Sequence, residues 1–204
     1  MSEDAIQKAA DWLQEAYQSG VGCDPVRDLL PEGDVDVAYA VQEINTERRL
    51  ANGARMVGRK IGLTSKLVQK QLGVDRPDFG ILFDDMAVPD GEEVPAGNLL
   101  LPRVEAEITY VLEKDINFEK PTNSDVINAI AYAAASIEIV DSRIKDWNIK
   151  IQDTVADNAS AVLYVVGNQK VKIDDFDGRI QIIKIHGNKT FLGKISHLYG
   201  EAPA

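Results

Sequence analysis

The stretch Arg103-Val-Glu-Ala-Glu-Ile-Thr-Tyr-Val111 sets Val104, Ala106, Ile108 and Tyr110 against Glu105, Glu107 and Thr109. That alternation is the period of a strand with one buried face, and it aims Glu105 and Glu107 the same way. Two same-face carboxylates repel, so a sequence that keeps them together offsets the charge with a cation or leaves both in open solvent. A third acid, Glu138, stands in the apolar run Ala133-Ala-Ala-Ser-Ile-Glu-Ile-Val140, where an unpaired charge is expensive. A three-carboxylate cation site is the sharpest expectation the chain offers. The competing expectations are an outward charged face for Glu105 and Glu107 and a salt bridge from Glu138 to Arg103 or Arg143.

Composition narrows the partners. With 204 residues, 45% of them hydrophobic, the chain can bury a core and is expected to form one domain with appended elements. A formal net charge of -11 argues against nucleic acid, whose recognition needs a positive surface to displace counterions. No apolar run approaches membrane-spanning length and no basic and apolar leader opens the chain, so a soluble protein without a membrane partner is expected. Cys23 is the single cysteine, which fits a reducing, cytoplasmic location and removes every multi-cysteine zinc motif. The two histidines, His186 and His197, both lie near the C-terminus, so a histidine-rich metal site or a Ser-His-Asp arrangement in the body of the chain is unavailable. Any metal here is held by oxygen, which suits Mg²⁺ or Mn²⁺ better than zinc.

Working outward, Ile6, Ala9, Ala10, Leu13, Ala16 and Tyr17 fall at helical spacing before Gly20. A second helix is predicted from the N-cap Asp34 through Val37, Val41 and Ile44 to Asn52-Gly53. Residues 1–53 thus read as a helical hairpin, a packing surface rather than chemistry, and 54–204 as the core. From Met56 the period becomes two, placing Met56, Gly58, Lys60 and Gly62 on one face. Glycines on both sides of Lys60 leave room for a ligand beside the amine, and an exposed edge-strand lysine is an equal reading of the same spacing. A short helix through Leu67, Val68 and Leu72 ends at Gly73, and Val74 to Gly80 reads as a turn-rich loop before Ile81-Leu-Phe83. Asp78 taken alone is a turn residue. Thr122-Asn-Ser-Asp125 has the form of a capping box opening a helix expected to continue through Ile130 and Ala134, with a strand expected over 137–144. Asp157-Asn-Ala-Ser160 is polar and precedes a strand over 161–166, and Gly187-Asn188 signals a hairpin between 180–185 and 190–192. Gly58-Arg-Lys-Ile-Gly62 has neither the phosphate-loop nor the dinucleotide glycine spacing, so nucleotide binding is not supported.

These residues together resemble a known family. Gly58-Arg-Lys-Ile-Gly-Leu-Thr-Ser65, Val68-Gln-Lys-Gln-Leu-Gly-Val-Asp75, Pro77-Asp-Phe-Gly80, Arg103-Val-Glu-Ala-Glu107, Ile137-Glu-Ile-Val-Asp-Ser-Arg143 and Asp157-Asn-Ala-Ser160 are similar to the 2-hydroxypentadienoate (2-oxopent-4-enoate) hydratases of aromatic meta-cleavage pathways. That family lies in the fumarylacetoacetate hydrolase superfamily. The resemblance implies an α+β fold, with a mixed β core and an N-terminal helical hairpin. It implies Mg²⁺ or Mn²⁺ held by Glu105, Glu107 and Glu138, proton handling by Lys60 and Asp78, and substrate contacts from Ser160 and the backbone at Leu63 and Thr64. It further implies a small 2-hydroxy-dienoate or 2-oxo acid substrate and a homo-oligomer. A sister activity, 4-oxalocrotonate decarboxylase, uses the same chelation, and a non-catalytic assembly partner of a pathway enzyme, or an inactive truncated homologue, is a third expectation. The family continues past the equivalent of Lys194 through a glycine-rich turn, an Asn-Pro element and a closing helix, whereas this sequence reads Ile195-Ser-His-Leu-Tyr-Gly-Glu-Ala-Pro-Ala204.

Overall fold

The structure, a computed structural model, describes residues 3–97 and 99–175. Two helices open the chain, α1 over Glu3–Ser19 and α2 over Val35–Ala51. Asp34 caps α2 by accepting a hydrogen bond from the Val37 amide at 3.2 Å, the role its position predicts. The apolar stripe of α1, with Ala9, Ala10 and Leu13, packs on Ala38 and Val41 of α2 and on Val155 and Ala156 of α5, which spans Ile151–Ala156. Small residues on α1 let the helices approach closely. Buried polar side chains then fix their seat: Gln42 Nε2 donates to the carbonyls of Phe79 at 3.0 Å and Val155 at 2.8 Å.

Among the described residues the strands form two antiparallel sheets. β1 (Met56–Gly62) pairs with β2 (Asp78–Phe83), the short α3 (Lys66–Leu72) lying between them in sequence. β3 (Arg103–Leu112), β4 (Ile130–Val140) and β5 (Ala161–Val166) form the second sheet with β4 at its centre. A bridge between Ala87 and Tyr164 and a cluster of Ile81, Phe83, Met86 and Ala161 join the sheets.

Two boundaries differ from the sequence reading. The helix opened by the Thr122 capping box, α4, stops at Ala129, and Ile130 to Ala134 belong to β4 rather than to the helix. The helical spacing of this alanine-rich run gives way to a ladder in which Tyr110 faces Ala133 and Val111 faces Tyr132, so tertiary pairing overrides a weak local preference. In consequence the strand expected over 137–144 ends at Val140, and Asp141 and Arg143 lie beyond it. Asp78, expected in a loop, is the first residue of β2, opposite Gly62. The hairpin expected at Gly187-Asn188 lies outside the described residues. Among the described residues no helix is long and apolar enough to cross a membrane.

Candidate active site

β3 and β4 are registered with Glu105 opposite Glu138 and Glu107 opposite Ser136. Residues directly opposite on an antiparallel ladder share a face, so all three glutamates emerge on one side of the sheet. One carboxylate oxygen from each lies within 4.8 Å of the others. Glu138 is buried, Glu107 half-buried and Glu105 exposed, so the cluster runs from the sheet interior to solvent. Like charges opposite one another destabilise a ladder, and here a third acid adds to the repulsion.

Lys60 reaches this cluster from β1. Its Nζ donates to the Ala159 carbonyl at 2.8 Å and lies 3.4 Å from Glu138 Oε1. That second distance is an ion pair without hydrogen-bond geometry, and among the described residues Glu138 Oε1 has no hydrogen-bond partner. Burial pushes the Glu138 carboxyl up to about 7; Lys60 opposes the rise, and Glu105 and Glu107 add to it. Burial raises Glu107 as well, with the charge of Glu105 contributing. The salt bridges that would have made Glu138 merely structural are absent. Arg103 stacks over the Trp147 ring at 4.0 Å, and Arg143 binds Asp157, with Nε to Oδ1 at 2.6 Å.

Asp78 is buried, with 2% exposure, and its Oδ1 has no hydrogen-bond partner among the described residues. Burial raises its pKa while Lys60 opposes the shift. The space beside the amine is one-sided, contrary to the symmetric reading of the two glycines. A Cβ at Gly62 would stand 3.2 Å from Lys60 Nζ and would overlap Asp78 Oδ1, whereas one at Gly58 would meet only Leu82, at 3.8 Å. Gly62 thus makes room for Asp78.

Beyond Gly62, Leu63 takes a left-handed conformation with φ 55°, and its carbonyl accepts a hydrogen bond from Gln69 Nε2 at 2.6 Å. Thr64 follows, exposed, at the same end of β1 as Asp78. On the other side, Asn158, Ala159 and Ser160 are successive left-handed residues with φ of 54°, 50° and 58°. Non-glycine residues in that region are strained and persist only where their surroundings hold them. Asn158 supplies a hold by bonding both backbone groups of Ile81: its Oδ1 accepts from the amide at 2.7 Å and its Nδ2 donates to the carbonyl at 3.0 Å. Ser160 Oγ is buried and has no hydrogen-bond partner among the described residues. Asn158 and the Ala159 carbonyl were not singled out by sequence. The available signal was the tolerance of asparagine for left-handed backbone within an otherwise polar run.

A neighbouring cleft of about 260 Å³ opens between the helices and β2, with Tyr17, Asn45, Arg49, Phe83 and Asn158 in its walls. None of Lys60, Asp78 or the three glutamates lines it. Among the described residues the carboxylate cluster is the group that could hold a metal ion. Three acids of graded burial, one with an orphaned oxygen, fit a hard divalent cation.

No family model matches the chain. Among solved structures it is similar to 4-oxalocrotonate decarboxylase from Pseudomonas putida G7 complexed with magnesium and adipate, with TM-score 0.81 and 32% identity over 88% of this chain and 68% of that one. The same enzyme complexed with calcium and acetate gives a TM-score of 0.80. Fold and carboxylate cluster together define an enzyme of the fumarylacetoacetate-hydrolase-like class. Within that class the chain belongs to the 2-keto-4-pentenoate hydratase family: it is 56% identical over 178 residues to the 2-keto-4-pentenoate hydratase of Burkholderia vietnamiensis, covering 87% of this chain and 68% of that protein. It is 55% identical to the TodF product hydratase of Pseudomonas putida, with 86% of this chain and 65% of that protein covered. A 2-hydroxypent-2,4-dienoate hydratase from Pseudomonas putida is 48% identical over 161 residues, which cover 77% of this chain and 72% of that protein. The chain thus spans about two thirds of the length of these curated relatives.

Proposed function

We infer that this chain is a divalent-metal-dependent hydro-lyase that adds water to 2-hydroxypenta-2,4-dienoate, or a substituted analogue, to give 4-hydroxy-2-oxopentanoate. The observation that carries this reading is the convergence of Glu105, Glu107 and Glu138 within 4.8 Å beside the Lys60 amine, in a chain of the hydratase family. The three carboxylates would hold Mg²⁺ or Mn²⁺, which supplies charge stabilisation at the 2-oxygen of a chelating 2-oxo acid.

The protein's own residues handle the protons. The 2-hydroxyl proton leaves and carbon 5 gains one; the hydroxyl of water then joins carbon 4 while carbon 3 takes the remaining proton. Lys60, held between the Ala159 carbonyl and Glu138, and Asp78, whose burial favours its neutral form, are paired groups of opposite proton demand meeting at Gly62. Ser160 Oγ has an unused donor and acceptor for a polar substrate atom, and the backbone at Leu63 and Thr64 closes the other side.

Purified protein supplied with Mg²⁺ is expected to consume the ultraviolet absorbance of the dienoate, and Glu107→Gln to abolish that loss. Equal turnover after metal stripping would refute the mechanism. The fold match to a decarboxylase motivates a second assay, for CO₂ release from 4-oxalocrotonate. We read the enzyme as cytoplasmic and self-associating, or joined to a pathway enzyme. The apolar Val104, Tyr110 and Leu112 on exposed β3 support a covered surface, which sedimentation would detect as a mass above that of one chain.

A further inference from the structure

We propose that Asn158 is a positioning residue for Lys60, acting through the left-handed turn 158–160. This inference rests on the reading of Lys60 as a proton-handling group. Among the described residues the turn supplies the one hydrogen bond made by the amine, from Nζ to the Ala159 carbonyl at 2.8 Å. With three successive φ values between 50° and 58°, that carbonyl is presented by a backbone with little intrinsic preference for its shape. The turn is therefore held from outside.

The holding contacts converge on β2. Both polar atoms of the Asn158 amide bond the backbone of Ile81, at 2.7 Å and 3.0 Å. The neighbouring Gly80 is the ladder partner of Lys60. A Cβ at Gly80 would stand 2.5 Å from the Asn158 carbonyl oxygen and 3.0 Å from Lys60 Cγ. The strand opposite the lysine is thus shaped to let the turn lie flat against it, and the Asn158 amide fastens it there. Loosening that fastening moves the Ala159 carbonyl and frees the amine, without touching Glu105 or Glu107. Asp157 and Ser160 keep their own anchors: the Arg143 guanidinium on the Asp157 carboxylate, and the Asp141 amide on the Ser160 carbonyl at 3.0 Å.

Asn158→Gly is the decisive variant, because glycine keeps the left-handed backbone available while removing both side-chain bonds. Three readouts are compared with wild type in the Mn²⁺-loaded full chain: steady-state kinetics on the dienoate, Mn²⁺ affinity by calorimetry, and the rate of Lys60 labelling by an amine-reactive reagent, followed by peptide mass spectrometry. The expected result is a fall in kcat of about 10–100-fold with KM within about threefold, since small misplacements of a reacting group carry costs of this order. Mn²⁺ affinity should change far less than kcat, because only the Lys60–Glu138 pair is disturbed and the register of the carboxylates is kept, and Lys60 should label several-fold faster. Wild-type kcat and labelling in Asn158→Gly would overturn the proposal. So would a parallel loss of Mn²⁺ affinity and thermal stability, which marks a general scaffold contact. If the wild-type chain fails to turn over the dienoate, the functional reading fails, while the labelling rates still decide whether Asn158 holds Lys60.

Discussion

Gly62 faces Asp78 across the β1–β2 ladder, and the Asp78 carboxylate fills the space a side chain at position 62 would need. Gly62→Ala must therefore push Asp78 or the Lys60 amine out of place, since a methyl there would also stand 3.2 Å from Nζ. The expected cost is about 1–3 kcal/mol of stability from overpacking and about 100-fold in kcat from misplacing the two groups proposed to handle protons. Gly58→Ala is the control, because its added methyl meets only Leu82, at 3.8 Å, and activity should stay near wild type. Thermal melts and steady-state rates on the two variants check the pair. Equal behaviour would show that the spacing of the glycines, and not the Asp78 contact, is what matters.

Metal affinity should rise with pH through the neutral range. In the metal-free protein burial holds the Glu138 carboxyl up to about 7, so below that pH the group carries a proton that a cation must displace. Calorimetry of Mg²⁺ binding in buffers of different ionisation enthalpy should detect proton release at pH 6 that fades by pH 8. The stability of the metal-free form runs the other way. A carboxyl whose folded pKa is raised binds more protons folded than unfolded between its ordinary value and about 7, so stability is fullest below the ordinary range and declines as pH rises toward 7. Glu138→Gln should flatten both dependences.

The parts of this site that were legible in sequence are those set by strand periodicity. The alternation in 103–111 places Glu105 and Glu107 on one face without reference to any other element, and an acid inside an apolar run points to a partner wherever the run lies. Register was not legible. Glu138 meets Glu105 because β4 begins at Ile130 and not at Ile137, and the helical spacing of Ile127, Ile130, Ala131 and Ala134 concealed that start. The seating of Asp78 depends on a missing side chain one strand away, and the hold on Lys60 comes from a carbonyl 99 positions along the chain. Backbone acceptors leave no mark on residue type, so neither could be read before the fold was known.

The Arg143–Asp157 pair should carry stability rather than chemistry. Both side chains are nearly inaccessible, and Asp157 takes the Arg143 Nε at 2.6 Å and the Arg143 amide at 2.9 Å, while its carbonyl takes Nη2 at 3.1 Å. Removing one partner leaves a buried charge uncompensated, which typically costs about 3–5 kcal/mol. Asp157→Ala and Arg143→Ala should each lower the melting temperature sharply. Arg143→Ala combined with Asp157→Ala should cost less than the sum of the two single losses, because no unpaired charge then remains. Chemical denaturation of the two single variants and the double variant provides the cycle, and additive losses would remove the coupling.

Cys23 should behave as an inert thiol. Burial is the first cause that pushes it up to about 11, with Asp157 and Asp24 adding to the rise, and Lys145 and a backbone hydrogen bond opposing it. At pH 8 the thiolate fraction is then only about one in a thousand, and the thiolate is the reacting species. Reaction with a disulfide reagent at that pH should be about 100-fold slower than in the denatured chain, where the thiol returns to its ordinary range. The rate should climb about tenfold for each unit of pH up to 10, because the thiolate fraction grows in that proportion below the pKa. A rate at pH 8 equal to that of the unfolded control would mean that the bridge holding Cys23 to Ile144 opens readily, since that backbone pairing keeps residue 23 against the core.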